Sequence, residues 1–135
     1  GRGRFVPCRY QPADELPENS YPFILNTGRV LAHWHTGSMT RRSKALDAIE
    51  PSPFAAIHPD DLRQLGIADG QELRVTSRRG TIQLAARADT SVQPGSVFIP
   101  FHFREAVVNM LTNDALDPHG KIPEFKICAV RLEPA

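Results

Sequence analysis

The stretch from Asn26 to Arg42, NTGRVLAHWHTGSMTRR, concentrates side chains that bind rather than pack. Thr27-Gly28-Arg29 closes a short apolar run. A glycine at such a point lets the backbone approach a ligand with its amide pointing outward, and Arg29 offers a planar, bidentate fork suited to phosphate or a flat heterocycle. His33-Trp34-His35 follows; in an extended chain both imidazoles would share one face and Trp34 the other. Thr36, Ser38 and Thr40 add hydroxyls, and Gly37 adds a second close-approach amide. The set suggests a cradle for a polar, phosphate-bearing ligand that contains rings.

A second polar cluster lies far along the chain. His102 sits between Phe101 and Phe103, Asn109 and Thr112 follow, and Phe125-Lys126 stands at the entrance to the last apolar segment. With the first loop these residues supply stacking, amide recognition and positive charge.

Each piece also has a plainer reading. Thr-Gly-Arg is a common turn, and His-x-His becomes a metal site only if His58, His102 or His119 converges on it as a third ligand. Arg41, Arg42 and Lys44 resemble a nucleic-acid patch, but Asp47 and Glu50 follow at once, which favours a solvated edge. There is no Gly-x-Gly-x-x-Gly or Walker pattern. Cys8 falls in an irregular arm and Cys128 on a strand expected to be buried, so neither has the surroundings of a nucleophile. No catalytic residue and no metal ligand is assigned to this chain.

The elements that must position these groups read mostly as β. Pro7, Pro12, Pro17 and Pro22 keep the opening extended. Residues 1–20 therefore read as an arm or interdomain connector in a longer protein, and 21–135 as the domain proper. Short apolar runs at 22–26 and 52–59 read as strands. Pro59, Asp60 and Asp61 suit a helix start and Gly66 its end, with Leu62 and Leu65 inward. Residues 71–89 alternate as a hairpin that turns at Arg78-Arg79-Gly80, with Leu73, Val75, Ile82, Leu84, Ala86 and Ala88 on one face. Strands follow at 95–101 and 126–133, the latter burying Ile127, Ala129 and Val130, and a helix of two to three turns is expected over 104–113. Many short strands with a few short helices suggest a closed β-barrel.

Composition narrows the function classes. With 135 residues, 41% hydrophobic, 23% charged and a formal net charge of +1, the chain fits one globular domain with no strong pull on nucleic acid or membrane. No apolar run approaches the roughly 20 residues of a membrane span, and no signal-peptide pattern is present. Two cysteines without a Cys-x-x-Cys spacing suggest free thiols in a reducing, cytoplasmic setting.

The order "TGR-x3-HWH-x-GSMT … HPDDLRQLGIADG … IPEFK-x-CAVRLE" resembles the C-terminal cofactor-binding domain of molybdopterin-dependent oxidoreductases over about residues 21 to 134. Within that group it is most similar to the alpha (catalytic) subunit of formate dehydrogenase, on the pairing of "ALDP" with "PEFK", and next to nitrate reductase. The resemblance implies a mainly β fold with short helices, a double-psi β-barrel of the aspartate decarboxylase type. It implies bis-molybdopterin guanine dinucleotide, with molybdenum or tungsten, as the cofactor. Carried over by position, Thr27, Gly28, Arg29, His33, His35, Thr36, Ser38 and Met39 line one binding loop, and His102, Asn109, Phe125 and Lys126 contact the cofactor from the other side. The metal's protein ligand and any iron–sulfur clusters belong to preceding domains of the parent chain, which are the expected partners, together with the pterin dinucleotide. Nucleic acid and membrane insertion are not expected. The rival class is a free-standing barrel used as a binding module, which leaves the TGR/HWH loop unexplained.

Overall fold

A computed structural model describes all 135 residues. Six strands, β1 (Phe23–Gly28), β2 (Phe54–Ile57), β3 (Glu72–Thr76), β4 (Thr81–Ala88), β5 (Ser96–Pro100) and β6 (Cys128–Pro134), close into a barrel in the order β1-β5-β2-β4-β3-β6. β1 pairs parallel with β5 and β2 parallel with β4, and the other neighbours are antiparallel. Closure leaves no strand edge exposed to another chain. The mainly β expectation holds.

Strand alternation builds two cores. Leu25, Leu73, Val75, Leu84, Val97, Ile99, Val130 and Leu132 fill the barrel. Outside it, Phe54, Ala56 and Phe103 form a smaller cluster with Val30, Val92 and Phe98. β2 is consequently buried on both faces, which explains its unbroken apolar sequence Phe-Ala-Ala-Ile.

Helix α2 (Pro59–Leu65) follows the sequence signals: Pro59 is at its start, the His58 side chain accepts from the Asp60 amide, and Gly66 closes it at φ 67. Asp61, buried, accepts the Gly95 amide at 2.7 Å and so ties α2 to the start of β5. Helix α1 (Lys44–Ile49) has no counterpart among the expected elements.

Three expectations are corrected. The helix over 104–113 is only a 3₁₀ turn, Val108–Met110. Its buried apolar side chains, Ala106, Val108 and Leu111, all go to the barrel core while Val107 and Met110 are exposed, and adjacent β-branched Val107 and Val108 are poor helix formers. In β6, Ala129 and Val130 are fully buried as expected but Ile127 is only half-buried, and the residues that face the barrel core are Cys128, Val130 and Leu132. Ala88, at the open end of β4, is exposed.

Residues 1–12 lie outside any strand or helix and are exposed. The chain is then pinned at Glu15, whose carboxylate accepts two bonds from Arg79 at 2.6 and 2.8 Å and the Ala129 amide at 2.7 Å. Arg79 also donates to the Leu111 carbonyl, so one guanidinium joins the arm, the β3–β4 turn and the 101–127 loop.

Candidate functional site

The strand registers place the C-terminal ends of β1, β3 and β5 and the starts of β2, β4 and β6 at one end of the barrel. The 29–53 loop, the 77–80 turn and the 101–127 segment therefore all leave from the same rim. Two stretches about 70 residues apart in sequence meet there because β1 and β5 run parallel and end together, Gly28 opposite Pro100.

The junction nearest β1 is stitched by two bonds. The Thr27 hydroxyl donates to the Phe125 carbonyl at 2.7 Å, and the Lys126 ammonium donates to the Thr27 carbonyl at 3.0 Å. Lys126 also stands 5.2 Å from the Phe125 ring centre and 5.7 Å from that of Phe101. Thr27 and Lys126 thus hold the two loops to each other. Gly28 is a glycine because of Phe98: an added Cβ would lie 2.4 Å from the Phe98 ring. On the side where a Cβ would lie, the close approach at Gly28 is made by this aromatic.

The His33-Trp34-His35 segment is turned, not extended, with His35 at φ 51. The two imidazoles consequently diverge. His33 is buried, whereas Trp34 and His35 are exposed, with the Arg29 guanidinium 6.0 Å from the Trp34 ring. His33 Nε2 lies 3.1 Å from the Glu50 carbonyl and Nδ1 lies 3.2 Å from the Thr40 hydroxyl. Its ring packs 4.5 Å, centre to centre, from that of His102, which in turn lies 3.8 Å from Phe103. The outer apolar cluster thereby becomes the floor on which the histidine pair rests.

His102 differs from every other buried polar side chain. It is 5% exposed, and neither ring nitrogen has a hydrogen-bond partner. Burial first, then the neighbouring His33 and Arg41, push its pKa down to about 4. It is neutral near pH 7, with one donor and one acceptor to offer. A buried polar group left unpaired costs on the order of 1–3 kcal/mol, which marks His102 as awaiting a partner. It lines an open cleft of ≈ 480 Å³ with Thr36, Ser38, Arg42 and Arg104. Gly37 belongs to the same wall; its φ of 72 and the Arg41 side chain 3.0 Å from a would-be Cβ exclude a larger residue. Arg41 is occupied by Asp47 at 3.2 Å, as the expected solvated edge implied, and by Glu105 at 2.7 Å, whereas Glu50 pairs with Arg87 instead.

The sequence-derived residues therefore fall into three groups. Thr36, Ser38 and His102 meet at the cleft, with His33 behind it. Thr27, Phe125 and Lys126 form the stitch, while Arg29, His35 and Met39 stand on the exposed rim. Asn109 is exposed and seated apart: its 3₁₀ turn packs on β4 and against Gly80, on the opposite side of the rim from β1. Glu50 and Arg104 were absent from the expected set, and Thr40 was named in the cradle but given no role. Thr40 was one of several hydroxyls in its loop, and nothing in the sequence linked the Glu50 carbonyl to a histidine 17 positions earlier.

Comparison with known proteins completes the site. Residues 23–129 match the family described as molydopterin dinucleotide binding domain. The chain is 51% identical over 133 residues to the F420-dependent formate dehydrogenase subunit alpha of Methanocaldococcus jannaschii, covering 98% of this chain and 20% of that one. It is 43% and 44% identical, with the same coverage, to the alpha subunits of F420-dependent formate dehydrogenases 1 and 2 of Methanococcus maripaludis. It thus spans about a fifth of the length of these relatives. Among solved structures, acetylene hydratase from Pelobacter acetylenicus superposes with a TM-score of 0.73 at 23% identity, over 85% of this chain and 18% of that one, a likeness of fold. With the match running from the first strand into the last and the two loops meeting on one rim, this chain belongs to the molybdopterin dinucleotide-binding domain family.

Proposed function

We propose that this domain holds bis-molybdopterin guanine dinucleotide within a molybdenum- or tungsten-dependent formate dehydrogenase, capping the cofactor against preceding domains of a longer chain. The observation that carries the reading is His102: a buried imidazole with two unpaired nitrogens, in a residue that lines a cleft of hydroxyls, arginines and two carboxylates. That donor set suits a ligand combining heterocyclic edges with phosphates. His102, Thr36 and Ser38 would meet ring edges, and Arg29, Arg42 and Arg104 the negative charges. Gly28, His33, Thr27, Phe125 and Lys126 would keep the loops in place, with His35, Met39 and Asn109 further along the rim.

The family match supports the cofactor, and the names of the relatives support formate over nitrate. When bound, the metal–pterin group would supply the two-electron oxidation of formate to carbon dioxide and a proton. This chain's residues bind and orient it. Exposed Leu31, Trp34 and Met39 around the rim support burial against the preceding domains. The two parallel strand pairs support a double-psi crossing of the loops. Free Cys8 and Cys128 support a cytoplasmic setting, and no helix is long and apolar enough to cross a membrane.

The test is a titration of the chain with GDP, followed by amide resonances. Shifts concentrated in 27–40 and 101–127, with 58–71 and 89–95 at the opposite end unmoved, are expected. A rim that stays silent at millimolar GDP, or a response centred on the far end, refutes the assignment.

A further inference from the structure

No residue from Thr112 to Ile127 is buried, although the segment is bounded by buried Leu111 and Cys128. Hydrogen bonds rather than core packing must therefore hold it in place. Three of them close it on itself: Asn113 Nδ2 donates to the Ile127 carbonyl at 3.0 Å, the Glu124 amide to the Ala115 carbonyl at 2.9 Å and the Asp117 amide to the Ile122 carbonyl at 3.0 Å. These bonds shape a flap but do not attach it to the barrel. Two sets of contacts do that. One is the stitch of Thr27 to Phe125 and Lys126. The other comes from the arm. The Asp14 amide donates to the Glu124 carboxylate at 3.1 Å, and the adjacent Glu15 holds Arg79, whose Nε and Nη2 donate to the Leu111 carbonyl at 3.0 and 2.9 Å. Two consecutive arm residues thus reach both ends of the flap, Glu124 directly and Leu111 through one guanidinium.

We infer that Asp14 and Glu15 form a strap that seats the 112–124 flap, and that Glu15 is a positioning residue for the wall completed by Phe125 and Lys126. The guanidinium is a rigid fork on a long, flexible stem. With Glu15 in place, its two outer nitrogens are fixed and its inner edge faces Leu111. Without Glu15 the stem regains rotamer freedom, the Leu111 tie weakens, and the arm that carries the Asp14 amide loses its anchor at Ala129. The flap then hangs from the Thr27 stitch alone. A displacement of the arm is in this way felt at the rim, on the side away from β1.

The cofactor-wall half of this inference rests on the function proposed above; the flap half does not. The test is ¹⁵N relaxation of the full chain, alone and with GDP, as parent, Glu15→Ala, Glu15→Gln and Glu18→Ala. Glu18 lies on the same arm but bonds Arg78, not the flap, so Glu18→Ala controls for general loosening of the arm. In the parent, the amides of 112–124 should have order parameters near the rigid value of about 0.85; in Glu15→Ala they should fall towards about 0.6 while those of β2 and β4 stay rigid. Glu15→Gln, which keeps one acceptor, should fall between and decides the matter if the alanine variant does not fold. GDP should bind Glu15→Ala about two- to tenfold more weakly, the fraction of time the wall is unseated, and Glu18→Ala as it binds the parent. Flap order parameters unchanged by both Glu15 substitutions, or lowered equally by Glu18→Ala, overturn the inference. A parent chain that ignores GDP sinks the cofactor-wall half together with the proposed function, while the relaxation data still decide whether the arm seats the flap.

Discussion

Replacing Glu15 by alanine should cost more than its position in an irregular arm suggests. Its side chain is only 12% exposed and accepts Arg79 twice, Arg78 at 3.3 Å and the Ala129 amide. Fully solvated ion pairs contribute ~0–1 kcal/mol, whereas removing one partner of a fully buried pair costs ~3–5 kcal/mol. Glu15 lies between these limits: its loss strands the Ala129 amide and half of the Arg79 fork, but water reaches the edge of the site. A loss of ~2–3 kcal/mol follows, which corresponds to a drop in Tm of roughly 6–12 °C for a domain of this size. Glu15→Gln, which keeps one acceptor but not the charge, should lose about half as much. The pH dependence has a definite sign. The Arg79 hydrogen bonds, followed by the Ala129 amide, hold the Glu15 carboxyl below the usual glutamate range despite its burial. The contribution is therefore fully present above the unfolded value of about 4.3 and fades as pH falls through the lower folded value. Urea unfolding of parent, Glu15→Ala and Glu15→Gln at neutral pH and through the acid range measures both effects. A Glu15→Ala protein within about 0.5 kcal/mol of the parent at neutral pH, the range of ordinary surface changes, would refute the reasoning and make the latch a solvent-screened contact.

Two further outcomes follow from the packing. Gly28→Ala should destabilise the barrel by ~1–3 kcal/mol, since its Cβ would sit 2.4 Å from the Phe98 ring; in urea unfolding, Phe98→Leu should recover part of the loss in the double variant, and strictly additive losses would contradict the clash. Burial first, with Glu15 adding, pushes the Cys128 thiol up to about 11, whereas Cys8 is exposed; a maleimide at neutral pH should modify Cys8 alone in the native chain, as peptide mapping would show, and both in urea.

Legibility in the sequence followed the range of the interactions involved. Helix α2 and the β3–β4 hairpin were readable because proline, acidic residues, glycine and strict alternation act within a few positions. The 104–113 segment misled because Ala106, Val108 and Leu111 reach the barrel core from a loop with a single 3₁₀ turn, a burial whose spacing also suits a helix face. In the site, residue types were readable but not roles. Arg41 needed Glu105, 64 positions away, to be seen as neutralised. His33 and His35 look equivalent in HWH, and a single left-handed residue separates a buried ring from an exposed one. The unpaired state of His102 has no sequence signal at all, since it depends on what every neighbour has already bonded.

The strand order carries a kinetic consequence. Only β3 and β4 are joined by a tight turn; β1 must find β5 and β6, and β2 must find β5 and β4, across long intervening stretches. The loop-closure entropy of those pairings is spent before any of the central contacts stabilise, which places assembly among the slow, millisecond-to-second topologies. During that interval the continuous apolar run of β2 has neither of its covering faces, so a nascent chain would be most vulnerable to sticking to others there.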